Sequence, residues 1–176
     1  SGGSVIGHTS GTDTLLTSEN QLDLSSTTLT SIEVLVTSVS TGTTFTVDQS
    51  DLSSGGSVIG HTSGTDTLRA AGAQLNLTST TLTSIEVLAT SFSAGTTFTI
   101  DQSDLSSGGS VIGHTSGTDT LLTSENQLDL TSTTLTSIEV LATSVSTGTT
   151  FTIDQSDLSS GGSVIGHTSG TDTLLT

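Results

Sequence analysis

Thr43-Thr44-Phe45-Thr46-Val47-Asp48-Gln49-Ser50-Asp51-Leu52 decides how this chain is read. The stretch recurs at 96–105 and 149–158 with a single change, Val47 becoming Ile100 and Ile153. The copies are 53 residues apart, and the sequence between them repeats as well. A fixed period of roughly 20–50 residues marks a stacked array of supersecondary units. Within the stretch, Phe45 and Val47 alternate with Thr44, Thr46 and Asp48, the period of a strand with one buried face. Asp48-Gln49-Ser50-Asp51 then supplies turn chemistry, because Asp and Ser side chains bond to nearby backbone.

Working outward, the units run 1–53, 54–106 and 107–159, and 160–176 begins a fourth. Units one and three differ only at Ser25/Thr131, Val36/Ala142 and Val47/Ile153. Unit two departs from unit one at eleven places, five of them in Arg69-Ala70-Ala71-Gly72-Ala73. No linker or charge block separates the units, so 1–176 reads as one continuous solenoid and not as beads on a string. Ending inside the opening strand of a fourth unit, the sequence is expected to continue in a longer chain or to self-associate head to tail, because open strand edges recruit strands.

Thr (40) and Ser (33) make up 73 of 176 residues. Disordered chains share that polarity but lack periodicity, and O-glycosylated stalks are Pro-rich, whereas this chain has no Pro. Seventeen acids face one base, Arg69, for a net charge of −16. Binding nucleic acid requires Lys and Arg to displace counterions from phosphates, so no nucleic-acid partner is expected, and anionic lipid surfaces, which make the same demand, are disfavoured. No apolar run is long enough for membrane insertion. The absence of cysteine leaves the redox compartment open.

Strands are expected at Thr14–Thr17, around Leu22 and Leu24, at Ile32-Glu33-Val34-Leu35-Val36, and at Phe45. Alternation puts Leu22, Leu24, Ile32, Val34, Val36, Phe45 and Val47 inward and Glu33, Leu35 and Thr37 outward. Leu22-Asp23-Leu24 followed by Leu29 echoes Phe45-Thr46-Val47 followed by Leu52. The echo predicts an all-β parallel β-solenoid with about two coils per unit, one of ~23 and one of ~30 residues; three coils of ~18 are the other partition.

Leu22-Asp23-Leu24 … Leu29-Thr30-Ser31-Ile32-Glu33-Val34-Leu35, Thr44-Phe45-Thr46-Val47-Asp48 and Ile6-Gly7 … Gly11-Thr12-Asp13-Thr14-Leu15 together resemble the β-solenoid repeats of very large secreted bacterial surface proteins. These include adhesins, S-layer-type proteins and relatives of RTX proteins. The Gly- and Asp-rich RTX nonapeptide that binds calcium is absent. The resemblance implies an extracellular or cell-surface setting.

Gly7-His8-Thr9-Ser10-Gly11-Thr12-Asp13 brings His, Ser and Asp together and recurs around His61, His114 and His167. A catalytic triad is usually assembled from distant segments, so a repeated turn motif is the reading adopted; no catalytic residue and no enzyme activity are assigned. No cofactor is required. Calcium is the cation to consider, since Asp-, Ser- and Gly-rich turns supply hard oxygen ligands. Its contacts would be Asp48, Asp51, Asp101, Asp104, Asp154 and Asp157; alternatively these residues cap a turn. The expected function is a structural repeat of an extracellular fibre that propagates by coil stacking. The competing class is a ligand-binding solenoid, either ice-binding through Thr ladders or a calcium-dependent adhesin module.

Overall fold

Each unit folds into seven short segments separated by Ser- and Gly-rich corners. In unit one these are β1 (Ser4–Ile6), β2 (Thr14–Thr17), β3 (Gln21–Asp23), β4 (Thr28–Thr30), β5 (Val34–Thr37), β6 (Thr44–Val47) and a 3-10 turn, Gln49–Asp51. The computed structural model describes residues 2–176, so the opening of the first turn at Ser1 lies outside the described residues. Among these residues there is no α-helix. Thr, Val, Leu and Phe on a pleated, half-buried surface favour the strands. Strands of three or four residues are too short to stand alone, so their stability comes from stacking.

Every strand pair is parallel. β1 pairs with β4 at an offset of 24 residues (Ser4↔Thr28), β2 with β5 at 20 (Thr14↔Val34), and β3 with β6 at 23 (Gln21↔Thr44). Following the partners traces three faces. One carries the inward ladder Leu22–Phe45–Leu68–Leu88–Val111–Leu135. The second runs Leu15–Leu35–Val58–Leu82 and resumes, above the turn Gln102–Asp104, as Leu128–Phe151–Leu174. The third starts with Val5–Leu29, passes the turn Gln49–Asp51, and continues Leu75–Phe98–Leu121–Leu141–Val164.

Three segments therefore complete one coil, while seven complete one unit. A unit spans two and one third coils, and each unit is turned by one face relative to the last. The three phenylalanines of the repeated stretch show the precession, with Phe45, Phe98 and Phe151 each on a different face. Val5 and Val164, 159 residues apart, return to the same face. With about 4.8 Å per coil, a unit rises about 11 Å and three units about 34 Å. The expected architecture and the count of about two coils hold, but the division into ~23 and ~30 residues does not. Coils are near-uniform because a 24-residue step and a 20-residue step bracket the common 23.

Phe45, Phe98, Phe151, Leu75, Leu128, Val47, Ile100 and Ile153 are fully buried, as their inward register requires. Leu24 and Ile32 are buried too, and Leu22 packs against the core. The expectation fails at β5. Leu35 is 3% exposed and Thr37 5%, whereas Val34 and Val36 are half-buried on the outer side. The cause is a bulge: Glu33 N and Val34 N both donate to the Asp13 carbonyl, each at 3.1 Å. Two residues then oppose one, and the alternation flips beyond it. Ser31 just before the bulge sits at φ +53°. At the same corner the coils approach closely, since a Cβ on Gly60 would lie 1.9 Å from the Ser84 carbonyl oxygen.

Candidate functional site

The His-Thr-Ser-Gly-Thr-Asp corner is a staple across three coils. Asp66 is fully buried; its Oδ1 accepts Thr43 N at 2.7 Å from the coil before, and its Oδ2 accepts His61 N at 2.9 Å. Asp66 N in turn donates to Glu86 Oε2 at 2.8 Å on the coil after. Thr96, Asp119 and Glu139 repeat the arrangement at 2.7 and 2.8 Å. Burial pushes the Asp66 and Asp119 carboxyls above the usual range, against the pull of those N–H donors. Both carboxylate oxygens are thus occupied by main chain.

The imidazole rings are occupied in a different way. Nδ1 of His61 and of His114 accepts the N–H of the serine two residues on, each at 3.0 Å. His8 Nδ1 lies 2.9 Å from Ser10 Oγ. Among the described residues no carboxylate bonds to a histidine ring, so the base–orienter contact of a triad is not formed. The trio closes a turn.

The repeated 3-10 turn is held by a reciprocal pair. Asp48 Oδ1 accepts Ser50 N at 2.8 Å, and Asp48 N donates to Asp51 Oδ2 at 2.9 Å. Asp101 with Asp104 and Asp154 with Asp157 do the same, a capping box. Asp51, Asp104 and Asp157 are buried. Desolvation raises Asp51 to about 6 and Asp104 to about 7. Nearby carboxylates (Asp48 and Asp23 for Asp51, Asp101 and Glu125 for Asp104) add to it. Asp51 Oδ1 and Asp157 Oδ1 are buried without a partner. Each of the six expected cation contacts thus lies in a cap, and among the described residues no three His, Asp or Glu side chains converge as a metal group.

No family model matches the chain, and neither a curated protein nor a solved structure matches it. Because seven segments wind on three faces, every face carries the same series: β1, β4, the 3-10 turn, β3, β6, β2, β5, then β1 again. Thr44-Phe45-Thr46 therefore lies between Gln21-Leu22-Asp23 and Thr67-Leu68-Arg69, and its Thr ladder extends to Thr67 only.

Where the 3-10 turn replaces a strand, the Gln49 carboxamide stands in for the missing backbone. Asn76 N donates to Gln49 Oε1 at 2.5 Å and Gln49 Nε2 donates to Asn76 O at 3.3 Å. Gln102 and Asp129 repeat the pair at 2.7 and 3.1 Å. Sequence reasoning missed this role, for which the invariance of the glutamine was the available signal. The depressions beside Glu19-Asn20-Gln21 and Ser124–Gln127 are open and shallow.

Proposed function

We propose that the chain is a structural repeat segment of an extracellular or cell-surface fibre, extended by coil stacking. The observation that carries this reading is the seven-on-three winding. It gives each unit the same strand pairing with the next, turned by one face, and gives the three lateral faces the same series of segments. Stability in such an array is a sum over repeated interfaces, and the depressions beside Glu19 and Ser124 fall at equivalent positions of units one and three. The invariant acids Asp13, Glu33, Asp48 and Asp51 serve the frame as main-chain acceptors. The net charge of −16 keeps neighbouring filaments apart. The resemblance to large secreted surface proteins points the same way.

A ligand-binding solenoid, for ice or for a calcium-mediated partner, needs one face that differs from the other two. The short Thr ladder does not favour that reading. Fibre diffraction or electron microscopy of material carrying these repeats tests the proposal. A coil spacing of about 4.8 Å, a unit rise of about 11 Å and a full repeat of about 34 Å are expected. Monodisperse particles that show thermal hysteresis would replace the fibre with the ice-binding class.

A further inference from the structure

Unit two alone carries Asn76-Leu77-Thr78, where units one and three have Asp23-Leu24-Ser25 and Asp129-Leu130-Thr131. Asn-x-Ser/Thr is the acceptor triplet for attachment of a sugar to the asparagine side chain. In a chain with 73 Ser and Thr among 176 residues the triplet alone says little. The geometry says more. Asn76 ends a strand on the outer surface, and both Asn76 and Thr78 are exposed. Thr78 Oγ1 donates to Asn76 Oδ1 at 2.8 Å and Thr78 N donates to the same oxygen at 3.1 Å. The carboxamide oxygen is held by its own +2 residue, while among the described residues Nδ2 has no protein partner.

The turn does not need the amide. Asp23 accepts Ser25 N and Oγ at 3.0 and 2.6 Å, and Asp129 accepts Thr131 N and Oγ1 at 3.0 and 2.7 Å. The frame is equally served by a carboxylate, so the exchange at unit two changes chemistry and leaves architecture alone. The other asparagines, Asn20 and Asn126, are followed at +2 by Leu22 and Leu128 and lack the hydroxyl.

We propose that Asn76 is an N-glycosylation site whose donor is a sugar activated as a pyrophosphate ester. Nδ2 forms the new bond to the anomeric carbon as the bond from that carbon to the pyrophosphate oxygen breaks. The pyrophosphate leaves with the electron pair, and the Nδ2 proton passes to a base of the transferase. The glycan then stands on the exposed outer face of unit two, while the coil-to-coil bonds of Asn76 to Gln49 use its main chain only.

The folded 176-residue chain is incubated in two arms, and the products are mapped by mass spectrometry. One arm holds an oligosaccharyltransferase with a polyprenyl-pyrophosphate glycan, the other a soluble N-glycosyltransferase with a nucleotide-diphosphate sugar; the arm that reacts identifies the donor. One glycan at Asn76, none at Asn20 or Asn126, is expected. It is lost in Asn76→Asp and Thr78→Ala and kept in Thr78→Ser. Asn76→Asp and Thr78→Ser install residues that units one and three or unit one already use, so folding is preserved. An unmodified Asn76 in both arms, with a standard acceptor peptide glycosylated in the same tubes, overturns the proposal. So does a glycan that survives Thr78→Ala.

Discussion

Asp66 Oδ1 accepts the main-chain N–H of Thr43, 2.7 Å away and 23 residues earlier in the chain. The same carboxylate also holds His61 N. Asparagine in its place offers one acceptor oxygen for two donors, so one buried N–H loses its partner. Asp66→Asn is expected to destabilise the fold by about 1–3 kcal/mol, the cost of one unsatisfied buried group. Asp13, which holds only His8 N, is the internal control, and Asp13→Asn should cost less. Urea melts of the two variants decide it; equal losses would mean that the inter-coil bond contributes nothing.

The buried caps make stability depend on pH. Burial lifts Asp51 to about 6 and Asp104 to about 7, and lifts Asp157 in the same direction. The folded state therefore holds more protons than the unfolded chain from roughly pH 4 to 7, and stability falls as pH rises through that window. Asp66 and Asp119 act with the same sign. Asp23 and Asp129, held low by Ser25 and Thr131, act oppositely and only at lower pH. The melting temperature should be higher at pH 5 than at pH 8. Replacing Asp51, Asp104 and Asp157 by Asn should flatten the difference; an undiminished slope in that triple variant would move the effect elsewhere.

Calcium offers a separate test of the same turns. A cation that binds only the folded state at a hundredfold excess over its dissociation constant would add about 2.7 kcal/mol. Capping alone gives the same midpoint in millimolar calcium as in sodium at matched ionic strength, and that is the outcome expected from the hydrogen bonding of Asp48 and Asp51. A calcium-specific rise abolished by Asp48→Asn, Asp101→Asn and Asp154→Asn together would restore the cation reading.

Much of the fold was legible because Thr-Phe-Thr-Val and Gln-Leu-Asp-Leu alternate unambiguously, and the Leu22–Phe45 echo is a true coil-to-coil pair. Ile32 to Val36 was not, because four of its five residues are apolar and either phase of alternation fits. The deciding bulge lies in the main chain, where two N–H groups share the Asp13 carbonyl. The winding was hidden as well, since one of the seven segments is a 3-10 turn that carries no strand pattern. As for the acids, the short Asp48-x-Ser50 spacing suggested a cap. The bonds from Thr43 N to Asp66 and from Asp66 N to Glu86 cross one coil, 23 and 20 residues in sequence, where no local pattern reports them.

The winding makes its own prediction about deletions. Removing residues 54–106 joins unit one to unit three at equivalent positions, so every strand keeps a neighbour of its proper type. The chain should fold with fewer coils and a lower midpoint, since fewer interfaces contribute. Everything beyond the junction turns back by one face. In the full chain Thr46 pairs with Arg69, and Leu122 pairs with Thr99 on another face. After the deletion Leu122 takes the place of Arg69, directly above Thr46 at about 4.8 Å. That separation lies within the Cα range of a disulfide, and the chain has no other cysteine. Thr46→Cys with Leu122→Cys should therefore cross-link within the shortened chain and stay reduced as a monomer in the full-length one. A cross-link in both, or in neither while the shortened chain still shows a β-sheet spectrum and a cooperative melt, would mean that units do not precess by one face.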